Sequence, residues 1–351
     1  FKAMTFYAGE AAVFIEPVTA DLKIYTAYKK SDKKTTDTFE CNTIDQVVKS
    51  NQKTKTTSTT YRYAADDGKL RTLRLALACT AEYTAYFGGS KSLTLASMNN
   101  TITRISGVFE RDFGIKLILV ANNDALIYTD PLTDPYSDFT SKSNWGVENQ
   151  SNLDAVISTS NYDTGHLLGS GTVNVGDAGG IGSVCSNLYK GRGYSCASPK
   201  NYQGDAFDIS YVAHEMGHQL GAHHTFTYKT EIGTGTQLEP GSGSTIMSYG
   251  GLSMKDYQGH KDAYFHAISI QEVTDFIKTK SCPGLIATGN AVPVVNAGMD
   301  YSIPKGTPFL LTGSTTDANT EDVLTYSWEE MDLGDATTCV PSATNNTGPL
   351  F

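Results

Sequence analysis

The chain has 351 residues, 39% of them hydrophobic, and a formal net charge of −10 from 37 acidic and 27 basic side chains. That length exceeds one ordinary domain and supplies enough apolar residues for a sizeable core. The negative balance argues against binding a nucleic-acid backbone, which needs a basic face. No stretch approaches the roughly 20 consecutive apolar residues of a membrane-spanning helix.

Residues 1–50 alternate apolar and polar side chains in short runs such as "AAVFIEPV" and "LKIYTAY", which predicts a small β-rich segment. The chain starts without an initiator Met, lacks a basic-then-apolar leader and stops at Phe351, so the expectation is a piece of a longer exported precursor. Residues 51–68, "NQKTKTTSTTYRYAADDG", are too polar to bury and read as a linker open to a protease. From residue 69 strands and helices alternate. Leu73, Leu75, Leu77 and Cys79 share one face of a strand, and Leu95, Met98, Ile102, Ile105 and Phe109 recur at helical spacing. A strand at 115–121, a helix near Val147–Ile157, a strand near His166–Leu168 and the amphipathic "ISIQEVTDFIKTK" complete an α/β (α+β) unit with helices on a mixed sheet, ending at Cys282.

Residues 283–351 return to strands and turns and resemble the start of an immunoglobulin-like or polycystic-kidney-disease-like sandwich, with Trp328 as its buried aromatic. Only about 60 residues remain after Pro293, short of the roughly 100 such a sandwich needs. Asp300, Asp317 and Asp322 offer a calcium site there, against the plainer reading of solvated turns. The expected chain is a monomer.

Residues 205–220, "DAFDISYVAHEMGHQL", place Ile209, Val212, Ala213, Met216 and Leu220 on one helical face, with Asp205 and Asp208 available as caps. His214 and His218 are four apart, one turn along the same face. Gly221 ends the helix, so that His224 swings back as a third ligand. Histidines paired with carboxylates on a core helix are the plainer alternative; helix placement, spacing and glycine together favour zinc. Three neutral imidazoles leave one coordination position for a water, whose pKa on the metal falls to about 7. Glu215, beside the first ligand, takes that water's proton and passes it to the leaving amine. His223 has no spacing argument and no assigned role.

These residues, His214, Glu215, His218, Gly221 and His224, resemble the zinc signature of metzincin metalloendopeptidases. The resemblance extends to a Met-turn, "GSTIMSYGG", with Met247 below the metal, and implies that Tyr249 stabilises the tetrahedral oxyanion. Within the metzincins, residues 70–282 are most similar to the reprolysin or adamalysin branch in its bacterial reprolysin-like form, through "YDTGHLLG", "GGIGSVC" and "DAYFHAISI". Thr225 departs from the animal reprolysins, which carry Asp after the third histidine; "HTF" is closer to pappalysins. Analogy with the reprolysins implies that a polypeptide substrate adds as an antiparallel strand near Gly180, Ile181, Gly182 and Ser183, with Gly250 and Leu252 walling the primed side.

Six cysteines allow fifteen pairings. Cys185 and Cys196 flank a short loop, while Cys79 and Cys282 would close the catalytic unit, so Cys185–Cys196 and Cys79–Cys282 are the expected bridges, in an oxidising, extracellular compartment. Cys41 and Cys339 are left, and pairing with each other is one option. The other is that Cys41, in "FECNT", resembles the propeptide cysteine of metzincin zymogens, whose thiolate occupies zinc's open position. The reading is a secreted zinc endopeptidase, latent through its own propeptide in cis. The alternative is a zinc-containing, inactive metzincin acting as an adhesion module.

Overall fold

The computed structural model describes residues 3–5, 13–17, 23–29, 39–43, 67–138, 144–198, 202–228, 235–251, 256, 258–334, 341–342, 344–345 and 348–350. Strands β1 (Ala3–Thr5), β2 (Val13–Pro17) and β3 (Tyr25–Lys29) pair antiparallel into a separate sheet, where Phe14 stacks on Tyr28. The next strand, β4 (Phe39–Cys41), leaves that sheet and joins the seven-stranded main one.

The main sheet is organised by β5 (Lys69–Cys79), whose alternation is read twice. Leu73, Leu75, Leu77 and Cys79 enter one core cluster, and Ala76 and Ala78 enter another on the opposite face. After α1 (Ala81–Tyr86) the long α2 (Lys91–Phe113) starts where the Ser90 side chain accepts from Leu93 N and stops where Gly114 takes φ 62°. Its apolar face, Met98, Ile102, Ile105 and Phe109, is buried in the same core cluster as Leu73, Leu75 and Leu77 of β5. Strand β6 (Ile115–Leu119) runs parallel along one edge of β5. Helix α3 (Trp145–Val156) then packs on the opposite sheet face, and Trp145 lies so close to Gly169 that a Cβ there would sit 2.1 Å from the indole.

On the other edge of β5, β7 (Thr164–Ser170) is parallel to its end, and the sheet continues through β9 (Gly193–Ala197) to β8 (Asn174–Asp177). Strand β4 pairs with β8 in parallel, Phe39 opposite Asn174 and Cys41 opposite Gly176, so the N-terminal segment forms the last strand. Strand β10 (Gly284–Ala287) pairs with the start of β5, carrying the main sheet beyond Cys282, where the sequence reading drew its boundary.

The stretch bearing "HEMGH" starts as α4 (Asp205–Phe207), widens into a π-helical segment at Asp208–Ala213 and ends as α5 (His214–Gln219). The first residue outside it is Gly204, with no side-chain cap. Asp205 and Asp208, expected as caps, are used for tertiary contacts instead. Asp205 holds Arg104 of α2 through two bonds of 2.8 and 2.9 Å, and Asp208 accepts from Thr101 at 2.7 Å. Both carboxylates are buried, and in a dry contact with α2 a charged or hydroxyl partner satisfies them better than a helix end does. Helix α6 (Ala267–Ile277) packs on the same sheet face as α2 and α5.

Beyond β10, β11 (Val294–Asn296) and β12 (Ser314–Thr316) form a two-stranded ladder. Trp328, expected inside a sandwich core, is 44% exposed, because among the described residues no second layer covers this small ladder.

The expected disulfides are corrected. Cys185 bonds Cys282, with a Cα–Cα distance of 6.0 Å, and Cys41, Cys79 and Cys196 are free thiols. Gly284 is in antiparallel register with Thr72, so Cys282, two residues earlier, lies near the level of Arg74, five residues short of Cys79 at the end of β5. The offset is about 17 Å of strand, against the roughly 7 Å a disulfide spans. Cys196 lies within β9 with its Sγ directed at Val173 O, away from Cys185. Cys339 lies outside the described residues.

Beneath the metal-helix stretch, buried His166 joins Gln219 Oε1 and Ser195 Oγ, each at 2.9 Å. Burial pushes its pKa down to about 4. The unfolded chain takes up a proton near pH 6.5 that the folded chain refuses until about pH 4. Stability should therefore fall as pH drops through that window, by at most about 1.4 kcal/mol per pH unit from this residue. Urea unfolding at several pH values checks it: His166→Gln should flatten the slope between pH 6.5 and 4, and an unchanged slope refutes the assignment.

Candidate metal centre

His214, His218 and His224 are all buried, and their Nε2 atoms converge. His224 Nε2 is 3.1 Å from His218 Nε2 and 3.2 Å from His214 Nε2. The opposite ring nitrogens are tied down: His214 Nδ1 donates to Ile246 O and His218 Nδ1 to Ala222 O, both at 2.7 Å. A carbonyl only accepts, so both protons are on Nδ1 and both Nε2 lone pairs face the common point. The turn that returns His224 is made at Gly221, whose φ is 110° and whose N–H bonds His218 O.

Met247 is fully buried under this helix. A Cβ on Gly217 would lie 2.6 Å from Met247 Sδ, so the glycine between the two ligands is what lets the Met-turn close. Tyr249 is 6% exposed and packs edge-on to the His224 ring at 5.0 Å, so it is not a surface turn residue. Where the animal reprolysins carry Asp, Thr225 donates its hydroxyl to Glu239, a buried carboxylate that also receives Thr245 Oγ1 and the N–H groups of Ser244 and Thr245. Glu239 thereby supplies the carboxylate that joins the strand after the third histidine to the Met-turn.

Glu215 lies under the sheet edge. A Cβ on Gly176 would come within 2.4 Å of its Oε1, so β8 passes over the carboxylate only because that position is glycine. Thr43 donates to Glu215 Oε2 at 2.9 Å and accepts from Ala178 N at 2.8 Å, while Oε1 is buried without a hydrogen-bond donor among the described residues. Burial, reinforced by the charge of Asp177, pushes Glu215 up to about 8. Cys41 Sγ and one ring nitrogen from each of His214, His218 and His224 all lie within 4.8 Å of one another. Burial, and then the Glu215 carboxylate, hold the Cys41 thiol well above its ordinary range, so a thiolate there needs a cation beside it.

The donor set fits a zinc ion: three imidazole nitrogens aimed together, a thiol completing a group of four, and the second ring nitrogens of His214 and His218 fixed by carbonyls. It is the only such cluster of three or more His, Cys, Asp or Glu ligand atoms among the described residues, and Asp300, Asp317 and Asp322 do not form one.

Gly180, Ile181 and Gly182, expected along the substrate edge, follow the end of β8 at Asp177, and Gly182 N donates to His218 O at 2.8 Å. Gly250 is buried against Gly243 O and His260 O, and Leu252 lies outside the described residues. Sequence reasoning missed Thr43, Gly176, Gly217 and Glu239, of which Thr43, two residues after Cys41, and Gly217, inside the histidine pair, stood next to a legible signal.

Among solved structures the chain is similar to metalloproteinase-II from Bacteroides fragilis, at 12% identity and a TM-score of 0.40, covering 78% of this chain and 75% of that one. A search of curated proteins gave no match. Residues 69–273 match Metallo-peptidase family M12B Reprolysin-like. That span holds β5 to β9, the three histidines and the Met-turn, and it exceeds half of the chain; the chain belongs to the reprolysin-like M12B metallopeptidases.

Proposed function

We propose that this chain is a zinc endopeptidase held latent by its own N-terminal segment, with Cys41 as the fourth zinc ligand. The observation that carries the reading is the convergence of Cys41 Sγ with the ring nitrogens of His214, His218 and His224. Zinc bound there would supply a Lewis acid for the scissile carbonyl and the attacking water. Glu215 would be the base that removes a proton from that water, at the Oε1 that has no donor among the described residues, and would return it to the leaving amine. Tyr249, packed against His224, would donate to the oxyanion.

The direction of β4 supports latency. A substrate is expected antiparallel to the edge strand, whereas β4 runs parallel to β8. Asn42 N takes Gly176 O at 2.8 Å, and Thr43 Oγ1 takes Ala178 N. The segment therefore fills the edge with its peptide bonds reversed. Removing it by a cut between residues 51 and 68 would free both backbone groups for substrate. The Cys185–Cys282 bridge supports an oxidising, extracellular setting. Polypeptides are the substrate class.

After a cut between residues 51 and 68, Glu215→Gln should keep stoichiometric zinc and be about 10²–10⁴-fold or more less active on unfolded protein than the equally cut wild type. Metal analysis beside a casein-type assay decides it: lost zinc, or retained cleavage, contradicts the role. Cys41→Ala in the intact chain should hydrolyse protein well above intact wild type, without any cut. Equal low activity in both would assign latency to the covered edge alone.

A further inference from the structure

Lys261 lies behind the metal centre and is 1% exposed. Its Nζ is 3.0 Å from His214 Nδ1, 3.2 Å from Ile246 O and 3.3 Å from Ser210 O, and it sits 5.7 Å from the centre of the Tyr249 ring. These contacts join four parts of the site: the first histidine, the Met-turn, the π-helical segment leading into His214, and the tyrosine. An ammonium is costly to bury, and a position that only had to be filled would be better served by an apolar side chain.

The proton inventory fixes what Lys261 does there. Ile246 O can only accept. The 2.7 Å contact between Ile246 O and His214 Nδ1 therefore carries the imidazole proton, and Lys261 directs its own hydrogens to the carbonyls of Ile246 and Ser210. Ile246 O is then held by two donors, one from the ligand itself. Ser210 O belongs to the π-helical stretch Asp208–Ala213, so one side chain clamps the Met-turn to the irregular turn just before the first ligand.

We infer that Lys261 is a positioning residue for metal binding: it fixes the Ile246 carbonyl, and through it the ring orientation and tautomer in which His214 presents a bare Nε2. The inference rests on the reading that the three histidines hold zinc. It goes beyond that reading by placing a buried lysine, far from the motif in sequence, in charge of one ligand. Outer contacts of this kind typically change metal affinity 10–100-fold.

The test uses the intact chain, with Zn²⁺ titrated against a chromogenic chelator and Co²⁺ as a spectroscopic probe. Lys261→Met keeps the length and removes the donors; Lys261→Gln restores a donor without the charge. Circular dichroism and thermal unfolding of the metal-free proteins establish that each variant is folded. The expected result is zinc affinity about 10–100-fold weaker in the Met variant, partly recovered in Gln, with displaced cobalt absorption bands in Met. A folded Met variant with wild-type affinity and an unchanged cobalt spectrum overturns the inference. If Met alone fails to fold, Gln must still bind zinc more weakly than wild type, and equal binding overturns it. Both variants unfolded even with zinc would make Lys261 a fold element and likewise overturn it. A wild type that takes up no zinc would sink the metal reading itself, and this inference with it, so the two failures are distinguishable.

Discussion

In a buried space, His224 Nε2 lies 3.1 Å from the bare Nε2 of His218 and 3.2 Å from the bare Nε2 of His214. At most one proton can sit among three nitrogens so close, and a shared cation that all three can ligate turns the arrangement into a binding site. The surrounding structure serves this convergence. The π-helical segment leads directly into His214, Gly221 reverses the chain toward His224, and Gly217 admits Met247 beneath the helix. The carbonyls of Ile246 and Ala222 hold the protons on the far side of the rings. The buried Arg104–Asp205 pair anchors the start of that helix on α2, and removing one partner of such a pair typically costs about 3–5 kcal/mol.

The N-terminal segment meets this centre at two levels. Its backbone extends the sheet through β4, and its side chains reach the chemistry: Cys41 to the histidine cluster and Thr43 to Glu215. Edge pairing places the side chains, because Cys41 opposite Gly176 puts the thiol over the one edge residue that has no Cβ to keep Glu215 away. A slip of one residue would turn Cys41 to the other face of the sheet. Register and ligand set thus specify each other.

The periodic parts of the fold were legible in the sequence. The alternation of Leu73, Leu75 and Leu77 and the helical spacing from Met98 to Phe109 report burial directly, and both elements lie where that burial occurs. The five-residue zinc pattern was legible because each position needs a rare side chain at a fixed spacing. Long-range choices were not. Nothing local in Asp205 distinguishes a cap from a partner for Arg104, and cysteine spacing does not reveal that the β10 pairing holds Cys282 several residues short of Cys79 along β5. Glu239 shows the same limit: the carboxylate missing at Thr225 comes from fourteen residues downstream, through a loop whose path only the fold defines.

The account depends on Cys41 and the three histidines sharing one zinc ion in the intact chain. X-ray absorption at the zinc edge tests this directly, since sulfur scatters at about 2.3 Å and imidazole nitrogen at about 2.0–2.1 Å. The account predicts a first shell of one sulfur and three nitrogens before the linker is cut. A shell of nitrogen and oxygen alone, with no sulfur contribution, would contradict it.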